Sequence, residues 1–176
     1  MPKAARTQPF DLVLGLRLLR PAGTFSAIAE ELSVAPSQVH GSLSRLHAAG
    51  LLKPDTRATN PRALGEFLLF GARYAFPASR GEIALGVPTG YSAPPLSALI
   101  DAVDVLVWSA PRCAEPVRGF ALAPLYSGAI TLRETSPETY RLLTLVDALR
   151  IGDPRIRSVA REALEGALGW RSASSG

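Results

Sequence analysis

Proline decides where this chain can form regular structure. Its 15 prolines serve two ends. Asn60–Pro61, Ser136–Pro137 and Asp153–Pro154 each set a capping residue before a proline. Such a pair predicts a helix start, because the first helical N–H has no partner to lose and the proline φ is already helical. Pro36 opens a helix in the same way, and Pro21 with Gly23 closes one. In contrast, Pro77, Pro88, Pro94, Pro95, Pro111, Pro116 and Pro124 cut residues 76–135 into short pieces. Three of these, "GEIALGV", "VLVWSA" and "GFALAPLY", read as strands between turns.

Apolar spacing fills in the helices. "QPFDLVLGLRLLRPAG" carries one stripe at Phe10, Val13, Leu14 and Leu18 and a second at Leu12, Leu16 and Leu19. A helix apolar on two sides must be covered on two sides. "TFSAIAEEL" starts at a Thr24 or Ser26 cap and turns Ile28, Ala29 and Leu32 inward. "PSQVHGSLSRLHAAG" runs from Pro36 to a stop at Gly50. After Asn60 the apolar positions are Leu64, Phe67, Leu68 and Phe70. Pro54 and Pro61 work against paired strands between these two helices, so a short irregular hairpin, or none, is expected there. The pair of helices after Ser136 and Asp153 forms an antiparallel hairpin. The expected fold is α+β and mostly helical. Residues 1–75 form a three-helix domain, 76–135 a Pro-rich β segment, 136–170 a helical hairpin and 171–176 a tail.

The apolar runs are far shorter than the roughly 20 residues that span a bilayer, and the N-terminus lacks the apolar core of a secretory signal. The expectation is a soluble cytoplasmic protein without membrane association. Cys113 is the one cysteine, which excludes an internal disulfide and a cysteine metal site. Charge is uneven: residues 1–80 hold 10 Lys+Arg against 5 Asp+Glu, and residues 81–176 hold 9 against 10. A positive first half suits contact with nucleic acid.

In the helix that opens at Pro36, Val39, Leu43 and Leu46 define the inward face at 100° per residue. Ser37, Gln38, Gly41, Ser44, Arg45 and Ala48 point away from it, with His40 and His47 on the flanks. An apolar back with a small and polar front suits entry into a major groove. The two histidines are seven residues apart, about 10 Å along a helix. That is too far for one metal ion, and neither has a carboxylate within a turn. No phosphate loop, "GxSxG" or "HExxH" occurs. Asp101 and Asp104 could share a site but fit a solvated helix end or turn better. Cys113 has Arg112 and Arg118 nearby but no histidine, and reads as a buried or half-buried thiol. Trp108, Tyr91 and Tyr126 could line a pocket but fit core positions better. Neither catalysis nor a cofactor is expected.

The stretch Phe25–Leu52, with "IAEEL", "APSQV" and "SRLHAAGLL", resembles the helix–turn–helix core of bacterial winged-helix transcription regulators of the MarR-like kind. Gly41 stands where such helices often carry a base-contacting Arg or Lys. The resemblance implies a winged-helix-like fold for the three-helix domain of residues 1–75 and binding of double-stranded operator DNA. Ser37, Gln38, His40, Gly41, Ser44 and Arg45 would lie at the groove, and Arg57 and Arg62 on phosphates. A homodimer is expected from the doubly apolar first helix, the hairpin and the symmetry of half-site readers. The second half is similar, more weakly, to small proteins encoded beside nucleotidyltransferase-type toxins. That implies the alternative of an antitoxin or adaptor that holds a toxin or other partner protein.

Overall fold

The computed structural model of the chain describes residues 6–171. Among these residues the chain is α+β and mostly helical, with eight α-helices and one three-stranded sheet. The tail expected at 171–176 lies, but for Arg171, outside the described residues.

Helix α1 (Pro9–Arg17) is followed by α2 (Phe25–Glu31) and α3 (Pro36–Ala48). Thr24 caps α2 by accepting from the Ala27 N–H at 3.1 Å. Asn60 caps α4 (Pro61–Phe70), its Oδ1 accepting from the N–H groups of Arg62 and Ala63. A single turn, α5 (Ala72–Ala75), leads into β1 (Arg80–Pro88). Then come β2 (Leu106–Ser109), β3 (Val117–Leu122), the turn α6 (Leu132–Thr135), α7 (Pro137–Ile151) and α8 (Pro154–Leu168). Asp153 caps α8 by accepting from the Ile156 N–H at 2.8 Å. All four helices predicted to open on a proline begin at that proline.

The two stripes of α1 are covered within one chain. Phe10, Leu12, Val13, Leu14, Leu16 and Leu18 are buried, and α1 packs on both α3 and α7. Helix α7 is the axis of the second half. It is buried from Thr139 to Arg150 except at Arg141, against α8, α5, α6 and the 3₁₀ turn Gly90–Ser92. One hydrophobic core therefore runs from Phe10 through Val87 and Trp108 to Leu168. The segments 1–75, 76–135 and 136–170 share it. Polar ties reinforce the joint. Glu31 accepts from Arg17 and from Ser136, and Ser33 meets Thr131 at 2.9 Å. The Tyr126 ring packs on Phe10 at 5.2 Å between centroids, and burial pushes its phenol pKa well above the ordinary value. The first helix and the C-terminal hairpin, expected to leave apolar surface for a second copy, are thus largely covered by their own chain.

The strands follow the predicted pieces, except that β3 begins at Val117 and ends before "APLY". Their pairing was not predictable from those pieces. β1 runs antiparallel to both β2 and β3, and β2 and β3 pair in parallel, so the sheet closes on itself. So tight a closure leaves no room for a side chain at the seam. Gly86 occupies it, paired to Ser109 on one side and to Val117 on the other. A Cβ there would lie 1.8 Å from the Trp108 carbonyl oxygen. Gly86→Ala is expected to destabilise by about 2–3 kcal/mol, the upper part of the overpacking range. Gly166, near the end of α8, has nothing within 4 Å of such a Cβ. Gly166→Ala should stabilise by about 1 kcal/mol, the helix-propensity difference. Urea unfolding of the two variants checks both signs; an unchanged midpoint for Gly86→Ala would show that the sheet opens readily.

Candidate nucleic-acid interface

The turn between α2 and α3 is built by Ser33, at φ +55°, and by the Val34 N–H donating to the Ala29 carbonyl at 2.9 Å. Beyond it, Val39, Leu43 and Leu46 face the core as expected. Ser37, Gln38, His40, Ser44, His47 and Ala48 are exposed on the other side, and Gly41 is partly exposed. This is a polar, small-residue front on a helix pinned from behind.

Arg45 is not part of that front. Its guanidinium folds back onto the fully buried carboxylate of Asp11 in α1, with Nε to Oδ2 at 2.9 Å and Nη2 to Oδ1 at 2.8 Å. Ser42 donates to the same carboxylate at 2.7 Å, and so does the Gln8 N–H. The hydrogen bonds to Asp11 hold the Arg45 pKa above its ordinary value. A Cβ at Gly41 would stand 3.3 Å from Arg45 Nη1, a close approach to the far end of that side chain. The sequence assigned Arg45 to groove contact. The structure makes it the internal brace between α1 and α3. Asp11 and Ser42 carried no warning in sequence beyond their place amid apolar residues.

The hairpin after α3 is short and irregular. Leu52 and Thr59 form an isolated antiparallel bridge, and the Lys53 N–H donates to the Ala58 carbonyl at 2.8 Å. Thr59 anchors its base, donating from Oγ1 to the Gly15 carbonyl at 2.6 Å. Within the loop Asp55 adopts φ +55°. The Arg57 guanidinium of this loop lies 5.4 Å over the Phe25 ring, and the His40 ring meets the same Phe25 ring edge-on at 4.5 Å. Phe25 thus joins the hairpin to α3. Sequence reading missed this role, although an aromatic beside the Thr24 cap was a signal for it. Arg62 lies in the first turn of α4, ion-paired with Glu66 at 3.0 Å, both side chains mostly exposed.

Ion pairing thins the positive field. Of the ten basic residues in 1–80, Arg17, Arg20, Arg45, Arg62 and Arg80 each hold a carboxylate. Lys53 and Arg57 are exposed beside α3, with Asp55 in the same loop. The candidate surface is therefore Ser37, Gln38, His40 and Ser44, flanked by Lys53 and Arg57.

The remaining candidates are apart from it. Asp104 pairs with Arg80, Trp108 and Tyr91 are core residues, and Cys113 is a half-buried free thiol. Among the described residues no three His, Cys, Asp or Glu side chains cluster for a metal ion, and no helix is long and apolar enough to cross a membrane. Compared with family models, with curated proteins and with solved structures, the chain matches none.

Proposed function

We propose that this chain is a non-catalytic transcriptional regulator that binds duplex operator DNA through α3. The observation that carries the reading is the polar front of α3, braced from behind by Arg45–Asp11, with Arg57 held beside it through Phe25. In this reading Gln38 and Ser44 meet base edges, Ser37 and His40 meet the groove wall, and Lys53 and Arg57 meet phosphates. Such a protein works in the cytoplasm. The covered stripes of α1 give no support to a homodimer, so pairing of copies rests on the symmetry that operators commonly have.

Fluorescence anisotropy with a fragment of the protein's own promoter tests the reading. Gln38→Ala should weaken specific binding about tenfold, the loss of one side-chain contact to a base edge. Arg57→Glu should weaken specific and random duplexes alike and lower the salt dependence of both. Unchanged affinity for both variants at low salt, with thermal midpoints intact, would defeat the proposal.

A second reading, an adaptor or antitoxin that holds a toxin or other protein through its second half, is favoured by one surface. Ile83 and Leu85 on β1 and Val117 on β3 stand exposed on the small sheet. Co-purification with the product of the adjacent gene, abolished by Leu85→Asp, would support it.

A further inference from the structure

At the end of α4 away from the hairpin, Phe70 and the short helix α5 face the first turns of α8. Between them lies an open groove of about 360 Å³. Arg73 reaches into it from α5, and Arg157, Ser158 and Arg161 from α8. Phe70 and Tyr74, 53% and 74% exposed, line it as well, together with Leu69, Leu149 and Pro154. The Arg161 guanidinium lies 5.3 Å over the Phe70 ring and that of Arg73 lies 5.1 Å over the Tyr74 ring. Arg157 donates to the Gly152 carbonyl. Among the described residues no carboxylate lines the groove, and none of these three arginines is held in an ion pair.

Arg17, Arg20, Arg62, Arg80 and Arg133 are matched to acids, and arginines such as Arg57 and Arg141 stand outside any ion pair among the described residues; the groove is distinguished by three such guanidiniums and two exposed rings lining one hollow. Three guanidiniums without a counter-charge attract an anion, and their planar forks fit phosphate oxygens two at a time. The two exposed rings add a second requirement. A carboxylate-rich peptide would satisfy the arginines and leave the exposed surface of the two rings in water. A nucleobase uses both rings and guanidinium planes as platforms. The volume sits at the small end of ligand sites, which suits one nucleotide rather than a long segment.

We propose that the groove binds a nucleotide unit, its phosphates on Arg73, Arg157, Arg161 and Ser158 and its base against Tyr74 and Phe70. The unit is either a free nucleotide or part of a single-stranded nucleic acid. Calorimetric titration of the full chain with ADP, with inorganic phosphate and with a short oligothymidylate tests it. ADP or the oligothymidylate should bind saturably, and whichever binds more tightly identifies the source. Arg157→Ala with Arg161→Ala should weaken that binding about a hundredfold, the loss of two charge-assisted contacts. Tyr74→Ala should weaken it about tenfold while leaving inorganic phosphate unaffected, because only the base stacks. Ser158→Glu, an exposed change that adds a repelling charge, should abolish it with the thermal midpoint retained. Gln38→Ala, which acts on α3, should leave it unchanged. The proposal is overturned if neither nucleotide probe binds at millimolar concentration, or if the arginine variants bind as the parent does. It is also overturned if polyglutamate binds as tightly as ADP and Tyr74→Ala has no effect, which would make the groove a site for an acidic protein segment.

Discussion

Arg45→Ala should lower the folding free energy by about 3–4 kcal/mol, measured by urea unfolding at neutral pH. The reason is what it leaves behind. Asp11 is fully buried, and its carboxylate would retain Ser42 and the Gln8 N–H but lose the only cation that faces it among the described residues. An uncompensated buried charge is among the few single-residue changes with so large an effect. The figure lies toward the lower part of the range for broken buried pairs because the Arg45 side chain is 18% exposed, so water already screens part of the interaction. A double-mutant cycle with Asp11→Ala should return a coupling of about 2 kcal/mol, since removing both partners leaves no charge to strand. A loss below about 0.5 kcal/mol would mean that the side chain points into solvent after all. The result also governs how DNA measurements are read. Weakened duplex binding by Arg45→Ala would reflect a loosened α1–α3 joint, whereas Gln38 and Arg57 have no comparable structural burden.

Where a helix begins is a local matter, and it was legible. The cap and the proline of Asn60–Pro61, Ser136–Pro137 and Asp153–Pro154 are adjacent in sequence, and each starts its helix in the structure. Inward faces were legible for the same reason: Ile28, Leu43 and Leu46 follow from period alone. What failed depends on distant partners. Projection put Arg45 on the outward side of α3, but its long side chain can bend back, and the carboxylate that draws it is 34 residues away. Phe70 reads as an apolar position of α4, yet at the helix end it meets Arg161 and solvent rather than core. The closed sheet was hidden for a like reason, because nothing within a strand says how many neighbours it has. Gly86 and Gly119 were the available sign, each standing where a Cβ would strike another strand's carbonyl or the residue before it. The front of α3 was legible as a polar surface, while its flanking charge was overestimated because composition does not say which arginines are already paired.

The other large effect is expected at the centre of the second half. Asp147 is fully buried on α7 and accepts from Thr89 Oγ1 at 2.8 Å, from Trp108 Nε1 at 2.7 Å and from Arg150 Nη1 at 2.7 Å. Arg150 in turn donates to the carbonyls of Phe76 and Pro77, so it ties α7 to the chain just before β1. Arg150→Ala should destabilise by about 3–5 kcal/mol at neutral pH, because the carboxylate is left buried with neutral donors alone. Burial already pushes the Asp147 pKa up, and Arg150, Thr89 and Trp108 oppose that shift. Removing Arg150 takes away the largest opposing influence, so the folded pKa rises further above the unfolded value of about 3.9. A group raised on folding contributes stability that is present below its unfolded pKa and is lost as pH rises through its folded pKa. The deficit of Arg150→Ala relative to the parent should therefore be greatest near neutrality and shrink on acidification toward pH ~4. Adding Asp147→Asn should recover part of it at neutral pH, since a neutral amide oxygen can still accept from Trp108. Thermal midpoints of the three proteins across that pH range separate the causes. A deficit that is flat in pH and untouched by Asp147→Asn would assign the loss to the carbonyls of Phe76 and Pro77 and not to the stranded carboxylate.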